Sequence, residues 1–385
     1  MPVAAFYNPE CGVSVNVLAE LVDDKNPKVR ARCCAMLAFF VTCLPDRYDY
    51  HTKFLPYLLT FYKDDIGDGS ISTTALGAIQ QCGAQYESEH PDEVMERRQY
   101  GIDGALISDC SNGDSWLPAP FVERPRLGAR LFVRENSKRF MKALLNELSS
   151  SWRDHMKQRS LDLLEILVVY CEEHLTMDFA STFTQIVKGL HLEWQNEREN
   201  SDEQATKQSN LSRKIIQLLT LVGRYVHPDV YIPLCLPRIV GASETGISFS
   251  DTGTNSESFK AAYAAALLAL LSGSGIKHWL VYLSEMVNAL KSQTDVNKCG
   301  ELCRTECTLV MVSMLQRIAF ANNHERVDVK IFCQKEDRAQ IMRTFMDDCK
   351  QLVENGALSN TFLLNQNEMC ACETSIQQLQ SDMAC

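Results

Sequence analysis

Glycine and proline are scarce in this chain, 18 and 12 of 385 residues. They gather between apolar stretches rather than inside them, which leaves those stretches free to form long helices. Strand-like alternation of apolar and polar residues is hard to find, so a sandwich or barrel has no support. Long hydrophobic runs are missing too. The longest, Ala261 to Leu271, is rich in alanine and too short to cross a bilayer. No leading segment joins a basic region to an apolar run, so no secretory signal is visible. Positive charge is in deficit. A net charge of −11 argues against nucleic acid or an anionic membrane as the main partner, because phosphates repel such a chain. These absences lead to the expectation of a soluble, cytoplasmic protein that binds neither nucleic acid nor membrane.

Catalytic signatures are also absent. No HExxH, GxSxG or GxGxxG stands in a suitable context, and Gly273-Ser274-Gly275-Ile276-Lys277 lacks phosphate-loop spacing. Asp64-Asp65-Ile66-Gly67-Asp68-Gly69 fails as a calcium loop, since Ile66 and Ala75 would occupy ligand positions. Cys171-Glu172-Glu173-His174 brings together a thiol, two acids and an imidazole, but nothing elsewhere completes a triad, and the histidine suits a helix C-terminus. No enzyme, no cofactor and no metal is expected.

Cysteine, by contrast, is plentiful: 16 residues. Cys33, Cys34, Cys171 and Cys235 sit in apolar surroundings, which suits small buried thiols in a reducing compartment better than a disulfide framework. Cys299, Cys303 and Cys307 recur every four residues and would line one helix face. A zinc site needs a fourth ligand, for which only Cys333 and His324 are near. Cys370 and Cys372 form a lone pair in the tail.

Apolar residues recur at three- and four-residue spacing through most of the chain, predicting amphipathic helices. The helices repeat. Val17 to Val22 ends one helix, Asp23 to Lys28 makes a turn, and Val29 to Phe40 is a second helix entered through Pro27. The pattern restarts at Phe54 to Leu59, and from Leu21 to Leu58 is 37 residues. That is close to the period of HEAT repeats, about 40 residues. Looser pairs follow: 140–148 with 156–170, 179–190 with 211–226, 230–240 with 259–271 and 279–290 with 302–320. A last helix is expected over 337–353. The fold class is therefore all-α, a HEAT-type, ARM-like helical solenoid. We expect HEAT units over 1–100, a proline-containing insertion loop over 101–136, and further HEAT-like pairs over 137–350. Within the last span, loops fall near 193–208 and 243–258, the first solvated or a frayed helix extension. A weakly ordered tail follows over 351–385.

Asp24, Pro27 and Arg30 resemble the HEAT repeat turn, in which an aspartate and an arginine six positions later bridge stacked repeats. The second unit has Ile71 six residues after Asp65, and the third keeps only Asp154 and Arg159, so the ladder is degenerate.

Two stretches narrow the family. One is Arg124-Pro125-Arg126-Leu127-Gly128-Ala129-Arg130-Leu131-Phe132-Val133-Arg134, running into Ser137-Lys138. The other is Val222-Gly223-Arg224-Tyr225-Val226-His227-Pro228-Asp229-Val230-Tyr231. Together with the helix from Ala75 to Glu89, they resemble the HEAT-repeat axonemal dynein assembly factors. The resemblance covers about the first 290 residues. It implies a cytoplasmic scaffold that preassembles inner and outer dynein arms of motile cilia. The implied partners are a dynein intermediate chain, other dynein arm subunits, chaperones and co-assembly factors. Family members begin with further HEAT units, so a chain lacking its leading repeats is expected. The repeats alone would equally suit a general scaffold of the nuclear-transport or phosphatase-assembly kind. Arg124, Arg126, Arg130 and Arg134 are the candidate partner-binding residues, since arginine forks suit acidic segments. The alternative is that they tie the loop to neighbouring helices through carboxylates.

Overall fold

The computed structural model describes residues 17–64, 69–99, 117–148, 154–199, 205–241, 257–295, 299–323 and 336–354. Among these residues the secondary structure is helical, with no strand. The chain divides into two units, Met1–Tyr225 and Val226–Cys385.

The first unit holds α1 (Val17–Val22), α2 (Pro27–Thr42), α3 (Tyr48–Thr60), α4 (Ser70–Glu89), α5 (Pro91–Gln99), α6 (Leu127–Leu148), α7 (Asp154–Cys171), α8 (Phe179–Glu199) and α9 (Ala205–Tyr225). Helix α2 starts where the chain chemistry directs it. Asn26 is extended, its side chain accepts the Lys28 N–H at 3.0 Å, and Pro27 fills the first turn. The helices lie in two rows. One row stacks α1, α3, α7 and α9; the other stacks α2, α4, α6 and α8. The first two pairs enter through the first row and leave through the second. After the insertion the order inverts, because α6 packs directly on α4 and only then does the chain cross to α7. The α4–α6 crossing is close enough to require glycine on both sides. A Cβ at Gly83 would strike the backbone of Ala129, and one at Gly128 would strike the Gly83 carbonyl.

The second unit is more regular. Its helices are α10 (Pro228–Val240), α11 (Glu257–Gly273), α12 (Ile276–Trp279), α13 (Leu283–Ser292), α14 (Glu301–Asn323) and α15 (Glu336–Glu354). Helices α10 and α13 stack in one row, α11 and α14 in the other, and α15 packs on α14. The alanine-rich face of α11, from Ala261 to Leu271, is buried almost throughout, and its small side chains let α14 lie close. No helix among the described residues is long and apolar enough to cross a membrane.

One sequence boundary needs correction. Helix α6 opens at Leu127, inside the span assigned to the insertion loop 101–136. Leu127, Ala129, Leu131 and Val133 are all buried, so the stretch has a packing partner that the prolines before it concealed. Of the two readings of 193–208, a solvated loop or a helix extension, the structure shows the second, α8 running to Glu199 and α9 opening at Ala205. Glu193 is buried and receives Lys157 Nζ at 2.5 Å, which explains a charged residue inside. The loop near 243–258 lies mostly outside the described residues, as does the tail beyond Glu354.

Candidate protein-binding interface

The repeat turn places its three residues together. Asp24 accepts the Asn26 N–H at 2.7 Å and so shapes the bend before Pro27. Arg30 donates to the Asp24 backbone carbonyl at 2.7 Å. Its carboxylate partner is Asp64, which lies between α3 and α4, inside the next pair. Arg30 Nε and Nη2 donate to the two Asp64 oxygens at 2.6 and 3.0 Å, with both side chains over 90% buried. This two-pronged bond ties the first helix pair to the second. Further ties are made with other residue types: Lys63 to Glu165 at 2.8 Å, Lys214 to Asp162 at 2.9 Å, and Arg159 to Asp23.

The arginine segment and the Cys171–His174 stretch, flagged separately in the sequence, meet in space. The short 3-10 helix Glu172–Asp178 follows α7, and Glu172 enters it with φ 49°, a left-handed backbone unusual for a side-chain-bearing residue. Its carboxylate is fully buried. Arg124 forks onto both Glu172 oxygens at 2.7 Å each. Arg130 Nη1 reaches Glu172 at 2.5 Å, and Arg134 Nη2 reaches it at 3.3 Å. Arg134 also pairs with Glu173 at 3.1 Å and donates Nε to the Tyr170 carbonyl at 3.1 Å. Arg130 and Arg134 stand four residues apart on α6, so one helix face delivers both. Burial pushes the Glu173 carboxyl up despite Arg134, and pushes the His174 ring down.

Phe121 anchors the segment from below. It packs edge-on against Tyr62 and Tyr170, whose hydroxyls share a hydrogen bond at 2.7 Å. Arg126 goes elsewhere. It forks onto Glu87 of α4 at 3.1 and 2.6 Å, and Glu87 also accepts the Gly128 N–H at 2.8 Å. A carboxylate thus caps the first turn of α6 from a neighbouring helix. Arg130 and Arg134 are buried, whereas the Arg126 side chain is 43% exposed and Arg124 25%. Arg124 and Arg126 border an open concavity of about 510 Å³ that also meets Gln80 and Glu123.

Ten cysteines are described, eight of them buried. Burial pushes the Cys34 and Cys82 thiols up to about 12. Cys303 and Cys307 lie along one side of α14 and Cys299 just before it, with successive sulfurs 3.9 and 4.0 Å apart. Cys333 and His324 lie outside the described residues.

Residues 117–332 match the family described as dynein axonemal assembly factor 5, HEAT-repeat domain. The chain belongs to that family. Residues 10–97 match a second description, dynein axonemal assembly factor 5-like, TPR repeats. The division between the two falls where the row order inverts. TPR and HEAT repeats are both stacked helix pairs, of about 34 and 40 residues, and the 37-residue spacing lies between them. Dynein axonemal assembly factor 5 of Xenopus laevis is 22% identical over 320 residues, covering 80% of this chain and 35% of the relative. The human protein of that name is 23% identical over 221 residues, covering 57% of this chain and 23% of its own. The chain therefore spans about a third or less of the length of these relatives. A crystal structure of a Kap121p mutant aligns with 94% of this chain and 37% of its own, at TM-score 0.30 and 12% identity.

Proposed function

We propose that this chain is a non-catalytic, cytoplasmic scaffold for preassembling the inner and outer dynein arms of motile cilia. The observation that carries the reading is membership of the dynein axonemal assembly factor 5 family across 117–332. Stacked helix pairs fit the role, because they offer long surfaces to protein partners. The partners in this reading are a dynein intermediate chain, other arm subunits, chaperones and co-assembly factors. No cofactor takes part.

Within the arginine segment the contribution divides. Arg130 and Arg134 act from inside, holding α6 to the end of α7 through Glu172. Arg126, and the exposed part of Arg124, present positive charge at the open concavity and contact an acidic stretch of the intermediate chain. Purified chain mixed with a dynein intermediate chain tests this. Retention of the intermediate chain, weakened by Arg126→Glu by more than the loss of folded protein accounts for, is the expected result. No retention by the wild-type chain rejects the partner. Full retention by a folded Arg126→Glu variant removes the arginine from the interface.

A further inference from the structure

A groove of about 380 Å³ runs between α6 and α8, and Arg134 of α6's arginine face is among the residues that line it. Its floor is apolar: Met141, Leu145 and Leu175. One wall carries Lys138 and Lys142, both exposed, four residues apart and so side by side on the helix. Neither lysine has a carboxylate within ion-pair distance among the described residues. The opposite wall is uncharged over Ser181, Thr182 and Gln185, with Asp178 at one end. The neighbouring His174 ring feels the same field, since Arg134 and Lys138 add to burial in lowering its pKa.

Two adjacent like charges with no partner mildly destabilise a helix. Here they border an apolar floor within a chain of net charge −11. The volume is in the range of pockets that take a ligand-sized group, about 300–1,000 Å³. We infer that the groove between α6 and α8 docks a short acidic segment of a protein partner, a bulky apolar side chain on the Met141–Leu145–Leu175 floor and its carboxylates on Lys138 and Lys142. The inference rests on the scaffold reading and names a docking chemistry for it. The charges steer and orient the segment, and the apolar contact supplies most of the holding.

The test is peptide selection on the purified chain, using a displayed library of random twelve-residue peptides. Enriched peptides are expected to carry several Asp or Glu around a Leu, Met or Phe. A fluorescein-labelled member should bind about tenfold more weakly to Lys138→Glu/Lys142→Glu and to Ser181→Trp, which fills the groove from the far wall. All three residues border open space, so melting temperatures should hold. Enrichment of neutral or basic peptides, no enrichment, or binding untouched by both variants overturns the inference. The readout is separate from the dynein reading. If the intermediate chain binds the double variant normally while the peptides are lost, the groove stands and the intermediate chain docks elsewhere. If the wild-type chain takes the peptides and not the intermediate chain, the dynein partner falls and the groove remains.

Discussion

Glu172 in the unit ending at Tyr225 and Glu306 in the unit beginning at Val226 are both almost fully buried, and their surroundings differ. Three guanidiniums converge on Glu172. Glu306 lies on α14 between Cys303 and Cys307, and its Oε2 has no hydrogen-bond partner among the described residues. Burial, with Cys303 adding to it, pushes the Glu306 carboxyl up to about 7. One unit thus spends a buried acid on joining helices, whereas the other holds one close to neutrality. A capping device is shared. Glu87 accepts from the Gly128 N–H at the start of α6, and Glu257 accepts from the Leu302 N–H at the start of α14, at 2.8 Å in both cases. In each unit a carboxylate on one helix caps the next helix in its row. The difference teaches that stacking alone does not demand buried ion pairs. The knot at Glu172 appears just after the insertion, where the row order inverts, and it ties α6 and the residues before it to the end of α7.

The largest effect should come from breaking that knot. Glu172→Ala removes the carboxylate that three arginines share, two of them buried, and should cost the first unit about 3–5 kcal/mol. Denaturant unfolding checks this. Stability within 1 kcal/mol of wild type would show that the arginines relax into solvent and that the carboxylate is dispensable.

Glu306→Gln should do the opposite, and only at one end of the pH range. The folded-state pKa is raised, so the group's contribution is fully present below its unfolded value near 4.5 and is lost as pH rises through about 7. At pH 8 the wild-type carboxyl should therefore cost on the order of 3 kcal/mol that the glutamine does not. Thermal melts of both proteins at pH 5.5 and pH 8 check it. The variant should gain at pH 8 far more than at pH 5.5. An equal gain at both would mean packing, not ionisation, separates the two.

Gly128→Ala should cost about 1–3 kcal/mol by forcing α4 and α6 apart, since the added methyl meets the Gly83 carbonyl. Gly77, also on α4 but with open space around the Cβ position, is the control. Gly77→Ala should be neutral or mildly stabilising. Equal melting temperatures for the two variants would deny the tight crossing.

How much of this was legible in the sequence depended on which physics carried the signal. Helix pairing was legible because burial imposes a period, and α10, α11, α13 and α14 fall close to the expected spans. The turn at Asp24, Pro27 and Arg30 was legible because local capping chemistry is written within a few residues. The landing of Arg30 on Asp64 was not, because the partner stands 34 residues away and the next unit keeps no matching arginine. The same holds for Glu172. Its neighbours in sequence suggested a helix end, while its partners lie 38 to 48 residues earlier. Row inversion was hidden altogether. It depends on α6 returning to α4 across a long insertion, and no periodicity encodes that return. The sign that could have exposed it was Gly83 opposite Gly128, two glycines inside otherwise good helices, which mark a close approach.

The smallest effect sharpens the contrast between the units by pH alone. His51 and His174 both lie in the first unit, and burial lowers both ring pKa values. His51 is 8% exposed and shares a hydrogen bond of 3.0 Å with the Val41 carbonyl, while Arg47 adds to the lowering and Glu89 and Glu135 oppose it. The folded state therefore holds these rings neutral at pH values where the unfolded chain takes up protons. Their contribution is present above the ordinary histidine pKa of about 6.5 and is lost as pH falls through that value toward the lowered one. Acidification from pH 7.5 to 5.5 should lower the first unit's melting temperature by a few degrees, since about 1 kcal/mol moves a domain of this size by roughly 2–4 °C. Over the same interval the second unit should gain as Glu306 takes its proton. Hydrogen exchange followed peptide by peptide reads the two separately: protection should fall in α3 and α6 and rise in α14 as pH drops, once intrinsic exchange is corrected. Protection moving in the same direction in both would erase the distinction between a unit that keeps its buried charges paired and one that keeps its buried acid protonated.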